Sequence, residues 1–275
     1  MFKEQLITAI SIKIKAFFNS HNIKYRDNSS FEQLILQYFN FKDKSIFRKV
    51  GRHIEYSKEV QTKINGDAQL KNLLDFFVNK IKNGDDLIDW QSRTLFDAEK
   101  PDWLFNHWNI KHLHMTKDKS RSDKILLLIE TSTDVYIVNI ISHPKKAGWT
   151  AFDFLKILHN NQWLHLVGFY ASTDIIPDSL EPKITNDEDI YCLYKMNFNI
   201  MFEIENVPYI SLSGVATSGD KISHSRWLTC FNKWLQEFSS NDIEFISFDL
   251  GAEISFGLIR YRYGYEQLRY EIPNF

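Results

Sequence analysis

The stretch KILLLIETSTDVYIVNIIS, residues 124–142, decides how the rest of the chain is read. Two apolar runs rich in Ile, Leu and Val flank the short polar segment TSTD, which reads as two strands and a tight turn. The runs are nearly continuous, so the hairpin is expected to be buried on both faces and to need cover on each. Helices are available for that cover. Residues 3–18 and 31–39 space their apolar side chains near 3.6, and residues 67–82 place Leu70, Leu73, Leu74, Phe77, Val78 and Ile81 on one stripe ending at Asn83-Gly84. Residues 149–159 read as a helix laid back on the hairpin, with Thr150 as N-cap and Phe152, Leu155 and Leu158 as its apolar face. A further helix near 224–238 carries Trp227, Leu228, Phe231, Trp234, Leu235 and Phe238. It separates two expected strand regions, YCLYKMNFNIMFEIE and EFISFDLGAEISFGLIRYRYGYEQLRY.

The fold class expected is α+β: a helical N-terminal region over residues 1–100, then an α+β domain over 101–275 with a mixed, largely antiparallel sheet and packed helices. The acidic, proline-containing loop 171–190 is a candidate sub-boundary. No internal repeat or low-complexity tract is evident.

With 44% hydrophobic and 15% aromatic residues in 275, the chain can bury a large core. Its longest apolar run, Ile125–Ile129, falls far short of the roughly 18–20 residues a membrane span requires. The N-terminal pattern is interrupted by Glu4, Lys13 and Lys15, which fits an amphipathic helix better than a signal peptide, so a cytoplasmic protein without membrane contact is expected. Cys192 and Cys230 are far apart and lack partners at metal-ligand spacing, and are expected to be buried thiols. A net charge of −2 argues against indiscriminate coating of nucleic acid. Residues 42–52 and 111–124 are nevertheless locally basic and 174–189 strongly acidic.

The chemistry-bearing residues concentrate in WLFNHWNIKHLHM, residues 103–115, and just beyond; six of the nine histidines lie between 107 and 165. In a helix His112 and His114 would point about 200° apart, whereas on a strand they share a face. The strand reading puts Leu113 and Met115 on one face with the stem of Lys111. Ile110, His112 and His114 take the other, away from the main apolar surface. Arg121, Lys117 and Lys124 follow within a short loop, and His143 ends the second hairpin strand. Cleavage of RNA by its own 2′-hydroxyl needs a base, an acid and cations for the crowded phosphorane. Histidine serves as either proton carrier near neutrality, and arginine and lysine stabilise charge without a metal. The candidate catalytic residues are therefore His112, His114, Arg121 and His143, with Lys111, Lys117, Lys124 and Trp108 as substrate-binding residues. No metal or other cofactor is expected.

The run Arg121–His143 resembles the arginine-led β-hairpin of RelE-like ribonuclease toxins. The resemblance implies mRNA cleavage or growth arrest, of bacterial toxin or phage-defence type, with RNA as substrate and an antitoxin as protein partner. Arg121 and His143 are the residues it carries over, by position at the hairpin's two ends. Trp108, Ile110, His112 and His114 also form a W-x-I-x-H-x-H pattern similar to one in bacterial proteins of unassigned function.

Two other classes compete with this reading. A metal-dependent nuclease would draw on Asp102, Asp123 and Glu130, or on His107, His112 and His114, but the Glu-x-Lys of restriction-type folds is absent because Thr131 and Ser132 follow Glu130. Arg48 and His53 have the R-x4-H spacing of HEPN ribonucleases, with a glycine between them. A non-catalytic binding or immunity protein would use exposed aromatic rings as anchors. The loop 210–225 could cradle a phosphate with backbone N–H groups but has no P-loop ending.

Overall fold

The computed structural model describes residues 2–45, 50–100, 102–116, 124–144, 148–149, 151–172, 184, 186–211, 214–216, 220–237, 243–250, 254–260 and 266–271. The fold is α+β, and the chain forms two compact units.

The first unit comprises residues 1–42, 96–100 and 223–275. Helix α1 (Phe2–Ser20) repeats Leu6, Ile10, Ile14 and Phe18 at every fourth position, and all four are buried. They pack with Leu34, Ile35 and Tyr38 of α2 (Phe31–Ser45) and with Trp227, Phe231 and Leu235 of α8 (Ile222–Glu237). The C-terminal strands expected from sequence form an antiparallel meander, β8 (Ile243–Leu250), β9 (Ile254–Arg260) and β10 (Glu266–Glu271).

The second unit, residues 43–95 and 101–222, carries the candidate site. Its central sheet contains β1 (His53–Tyr56), β2 (Lys111–His114), β3 (Lys124–Glu130) and β4 (Asp134–Ser142) in the order β1-β4-β3-β2. Strands β2, β3 and β4 form the expected antiparallel meander, while β1 pairs in parallel with β4. That parallel strand is absent from the sequence reading, and it places residues from the helical N-terminal stretch in the same sheet as the hairpin.

Both faces of β3 are covered. Leu126 and Leu128 pack with Val60 of α3 (Lys58–Gly66) and with Leu74, Phe77 and Ile81 of α4 (Ala68–Asn83). Ile125, Leu127 and Ile129 pack with Trp108 of α5 (Trp103–Trp108), Leu155 and Leu158 of α6 (Phe152–Asn160), and Ile190 and Tyr194 of α7 (Asp187–Lys195). Helix α4 stops where expected, with Gly84 closing the C-terminus at φ 71°, and the structure adds an N-cap, the Asp67 side chain accepting from Leu70 N–H. A small sheet, β5 (Phe169–Ala171), β7 (Val207–Ser211) and β6 (Met201–Ile204), contributes Phe169 and Phe202 to the core on the α6 side.

Several sequence expectations change. YCLYK, expected as strand, is the body of α7: Asn186 accepts from Asp189 N–H, three acidic residues fill the first turn, and Ile190 and Tyr194 are buried four residues apart. Helix α6 begins at Phe152, and Thr150 lies outside the described residues. His53 is on strand β1, not a helix, which removes the helical setting of the R-x4-H pair; Arg48 is outside the described residues. Cys192 and Cys230 are exposed free thiols. Most of the acidic loop lies outside the described residues.

One irregularity controls the sheet. The β3–β4 register runs Leu127↔Asn139 and then Leu128↔Ile137, so Val138 is an extra residue, a β-bulge. On the turn side of it Val135 and Ile137 face α3 and α4; beyond it Ile140 takes that face and Ile141 packs on the opposite core. Helix α3 clamps this point. Ser57 Oγ donates to Val138 O at 2.8 Å and accepts from Val60 N–H at 3.1 Å, so one buried hydroxyl satisfies the bulge carbonyl and caps the helix. Lys63 Nζ donates to Asn139 Oδ1 at 2.7 Å and to Ile140 O at 2.9 Å. Replacing Ser57 by alanine removes a cap worth about 1 kcal/mol and orphans a buried carbonyl at a cost of about 1–3 kcal/mol. Urea unfolding of Ser57→Ala should show a loss of about 2–3 kcal/mol; a loss below about 0.5 kcal/mol, the range of ordinary surface changes, would show that the clamp contributes little.

Candidate functional site

Strand β2 places His112 opposite Leu127 and His114 opposite Ile125, on the α6 side of the sheet. His143 follows the end of β4. Counted from Val135 and Ile137, odd-numbered residues would face α3 and α4; the extra residue at Val138 reverses the count, so His143 shares the face of Ile141 and of the two β2 histidines. The result is a closed set of four rings. His112 and His114 have centroids 5.7 Å apart, His114 stacks on His143 at 5.6 Å, and Trp149 touches both His143 at 5.2 Å and His112 at 5.0 Å.

The rings differ in environment. His143 is exposed, with Nδ1 3.2 Å from Pro144 O. The side chain of His112 is 10% exposed, and its Nδ1 lies 3.6 Å from Asp102 Oδ2. Asp102 reaches it because its other oxygen, Oδ1, accepts from Phe105 N–H as the N-cap of α5. Burial holds the His112 imidazole below the ordinary histidine value; His143 pushes the same way, and Asp102 opposes both. His114 is 8% exposed. Contrary to the sequence expectation, the imidazoles are not clear of the main apolar surface: Ile110 on their face belongs to the main core, and Trp149 packs against it.

Cations surround the edge of β2 on the crevice side. Lys44, Asp102, Phe105, Lys111 and His112 line a cavity of about 20 Å³, room for a single water. Lys221 Nζ sits 3.5 Å from the Phe105 ring centroid, 3.3 Å from Asn109 Oδ1 and 3.7 Å from Asp43 Oδ2. Burial brings that ammonium down to about 8, Asp43 and Asp102 opposing it and Lys111 adding to it.

The structure assigns other predicted residues elsewhere. Lys111 lines the crevice but is committed to an ion pair, its Nζ 2.7 Å from Glu130 Oε2; Arg52 bonds the other oxygen of that carboxylate. Trp108 is fully buried and donates from Nε1 to the Tyr194 hydroxyl, which makes it core and not a base-stacking surface. Lys124 is exposed at the start of β3, opposite Ser142. Arg121, Lys117 and Asp123 lie outside the described residues. Glu130 is committed to Arg52 and Lys111, and among the described residues no three His, Cys, Asp or Glu side chains are arranged to hold a metal ion. Trp149 and Lys221 were not legible as site residues. Trp149 looks in sequence like the first apolar residue of a helix, and Lys221 sits in a loop with no flanking signal.

His107 is also separate from the site. It is buried and stacked on Tyr194 at 3.7 Å, with burial lowering its pKa to about 4. Its folded value lies below its unfolded one, so the unfolded chain binds the extra proton and stability falls as pH drops from 6.5 toward 4. In His107→Gln the loss of unfolding free energy between pH 7 and pH 4 should be smaller than in the wild type by about 1–3 kcal/mol; identical pH dependence would contradict the assignment.

No family model, curated protein or solved structure matches the chain. Among the described residues no helix is long and apolar enough to cross a membrane.

Proposed function

We propose that the protein is a metal-independent endoribonuclease that acts in the cytoplasm, of toxin or phage-defence type, with His112 as general base and His143 as general acid. The observation that carries this reading is the meeting of three imidazoles, two from β2 and one just past β4, in one ring cluster, with burial lowering the proton affinity of His112 while His143 is open to solvent. A neutral His112 can accept the ribose 2′-hydroxyl proton while an exposed His143 delivers one to the departing 5′-oxygen. His114 lies against both rings and positions them. Trp149 closes the cluster and offers a face on which a base can stack. Asp102 orients His112 and raises its basicity. Arg121, at the head of the hairpin, takes the role of phosphate clamp that the resemblance to RelE-like toxins implies, and Lys124 supplies charge at the strand end. An antitoxin is the partner this reading calls for.

A second reading, a binding or immunity protein in which the ring cluster is structural, is favoured by the 10% exposure of the His112 side chain and the one-water crevice beside it.

The two readings separate in one assay. Purified protein is incubated with total RNA and with plasmid DNA, with and without EDTA. The ribonuclease reading predicts RNA cleavage that survives EDTA, leaves 2′,3′-cyclic phosphate ends, and falls by about 10²–10⁴ in His112→Ala and in His143→Ala. Cleavage abolished by EDTA, or unchanged in both variants, would overturn it, and no cleavage of either polymer would favour the binding reading.

The pH profile gives a finer test. His112 must be neutral to act as base, and its pKa lies below 6.5, so the acid limb of kcat/KM should fall below that pH. Asp102→Asn keeps a side chain competent to cap α5 but removes the charge that raises His112, so the limb should move further toward acid. A limb above pH 6.5, or one unmoved by the substitution, would contradict the assignment of His112.

A further inference from the structure

A second group of proton-carrying side chains lies in the same unit, outside the four-ring cluster. His159, in the last turn of α6, has Nδ1 2.9 Å from the Tyr209 hydroxyl and Nε2 3.4 Å from Glu205 Oε2. The three residues come from α6, β7 and the β6–β7 turn, so their contact is made by the tertiary fold and not by sequence proximity. The His159 side chain is 16% exposed, whereas that of Glu205 is 76% exposed. The carboxylate beside Nε2 favours the tautomer with the proton on Nε2, which leaves the Nδ1 lone pair to accept from the Tyr209 hydroxyl. The order carboxylate, imidazole, hydroxyl is that of an activated nucleophile with its base and orienting group, with a phenol in the place of an alcohol.

The backbone supports the same arrangement. Glu205 and Asn206 occupy the two central positions of the β6–β7 turn at φ 51° and 63°. Such turns favour Asn, Asp or Gly at both places, so a glutamate there is held in an uncommon left-handed conformation.

The chain of groups opens into a cleft of about 670 Å³, within the range of small-ligand sites. Two lining residues are tied to α6 through Asn161: its Nδ2 donates to Glu59 Oε2 at 2.9 Å, and Lys58 N–H donates to its Oδ1 at 3.0 Å. Lys58 and two carboxylates, Glu59 and Glu205, lie in the lining, with Leu164, Phe169 and Tyr170 giving apolar and aromatic surface. A cleft with an excess of carboxylates and an apolar wall repels a polyanion and suits a small uncharged molecule better.

We propose that this cleft is a second reactive site, in which Tyr209 attacks the carbonyl of a small neutral acyl ester. His159 acts as base and Glu205 as the residue that positions His159. In the step the phenolic oxygen forms a bond to the carbonyl carbon and the ester's C–O bond breaks. The phenolic proton passes to His159 Nδ1, and the alcohol or phenol leaves and is protonated from the imidazolium. The product is an acyl-tyrosine ester that water can hydrolyse. The proposal is independent of the ribonuclease reading, because it uses none of the same side chains.

The probe is p-nitrophenyl acetate, with release of p-nitrophenolate followed by absorbance and acetylated residues mapped by peptide mass spectrometry. Tyr170, 45% exposed in the same cleft and outside the hydrogen-bonded chain, is the internal reference. In the unmodified protein Tyr209 should be acetylated at least about tenfold faster than Tyr170, below the about 10²–10⁴ of full acid–base catalysis. The ratio should collapse toward one in His159→Gln, and the phenolate burst should vanish in Tyr209→Phe. Glu205→Gln should lower the rate less and shift its pH profile, a change a purely structural role would not produce. Equal acetylation of Tyr209 and Tyr170 in the wild type would overturn the proposal whatever the variants do, as would a ratio unchanged by His159→Gln in a folded protein.

Discussion

The clamp that α3 places on the Val138 bulge is the constraint on which the candidate site depends. A single extra residue in a strand reverses which side chains face which core. Here the reversal occurs between Ile137 and Ile140, and both cores remain filled because Ile140 and Ile141 exchange the roles that strict alternation would assign them. The buried backbone of the bulge is met by Ser57, whose hydroxyl donates to the Val138 carbonyl, and by Lys63, which donates to the Asn139 side chain and the Ile140 carbonyl. Ser57 also begins α3, so the helix that covers one face of the sheet is started by the group that fixes the sheet's irregularity. On the other face the consequence is chemical: His143 joins His112 and His114.

Burial then differentiates three chemically identical side chains. An imidazole taken out of water loses proton affinity, and a neighbouring imidazole depresses it further, while a carboxylate restores part of it. His112 experiences all three influences, whereas His143 stands in solvent. Two proton carriers in unequal settings are what acid–base catalysis requires near neutrality. The same burial limits access, since the crevice beside His112 admits about one water.

Much of this was legible in the sequence where periodicity alone decides. Period-two alternation put His112 and His114 on one face, the TSTD turn joined β3 to β4, and the stripe from Leu70 to Ile81 with its Asn-Gly stop marked α4. What was not legible depended on pairing between distant segments. Nothing in Val138-Asn139 announces a bulge, and its presence rests on residues about 80 positions earlier, Ser57 and Lys63. Strand β1 is four residues long and half-exposed, too short to register against the helical pattern around it. The α7 segment carries Ile190, Tyr191 and Tyr194, residues that favour strands, and its helical start lies in Asn186 and the acids that follow it, which read as part of a loop. Lys111 and Trp108 look like ligand-binding residues in sequence because charge and aromaticity do not reveal burial. In the fold one neutralises Glu130 and the other fills a core.

The most direct test of the account is to titrate His112 by NMR in histidine-labelled protein, in the wild type and in His143→Gln. If the bulge brings His143 to the face of β2, His112 titrates below the ordinary histidine value in the wild type. Removing the His143 imidazole then shifts it upward. A His112 titration that is the same in both proteins would contradict the convergence of the three histidines, and with it the site.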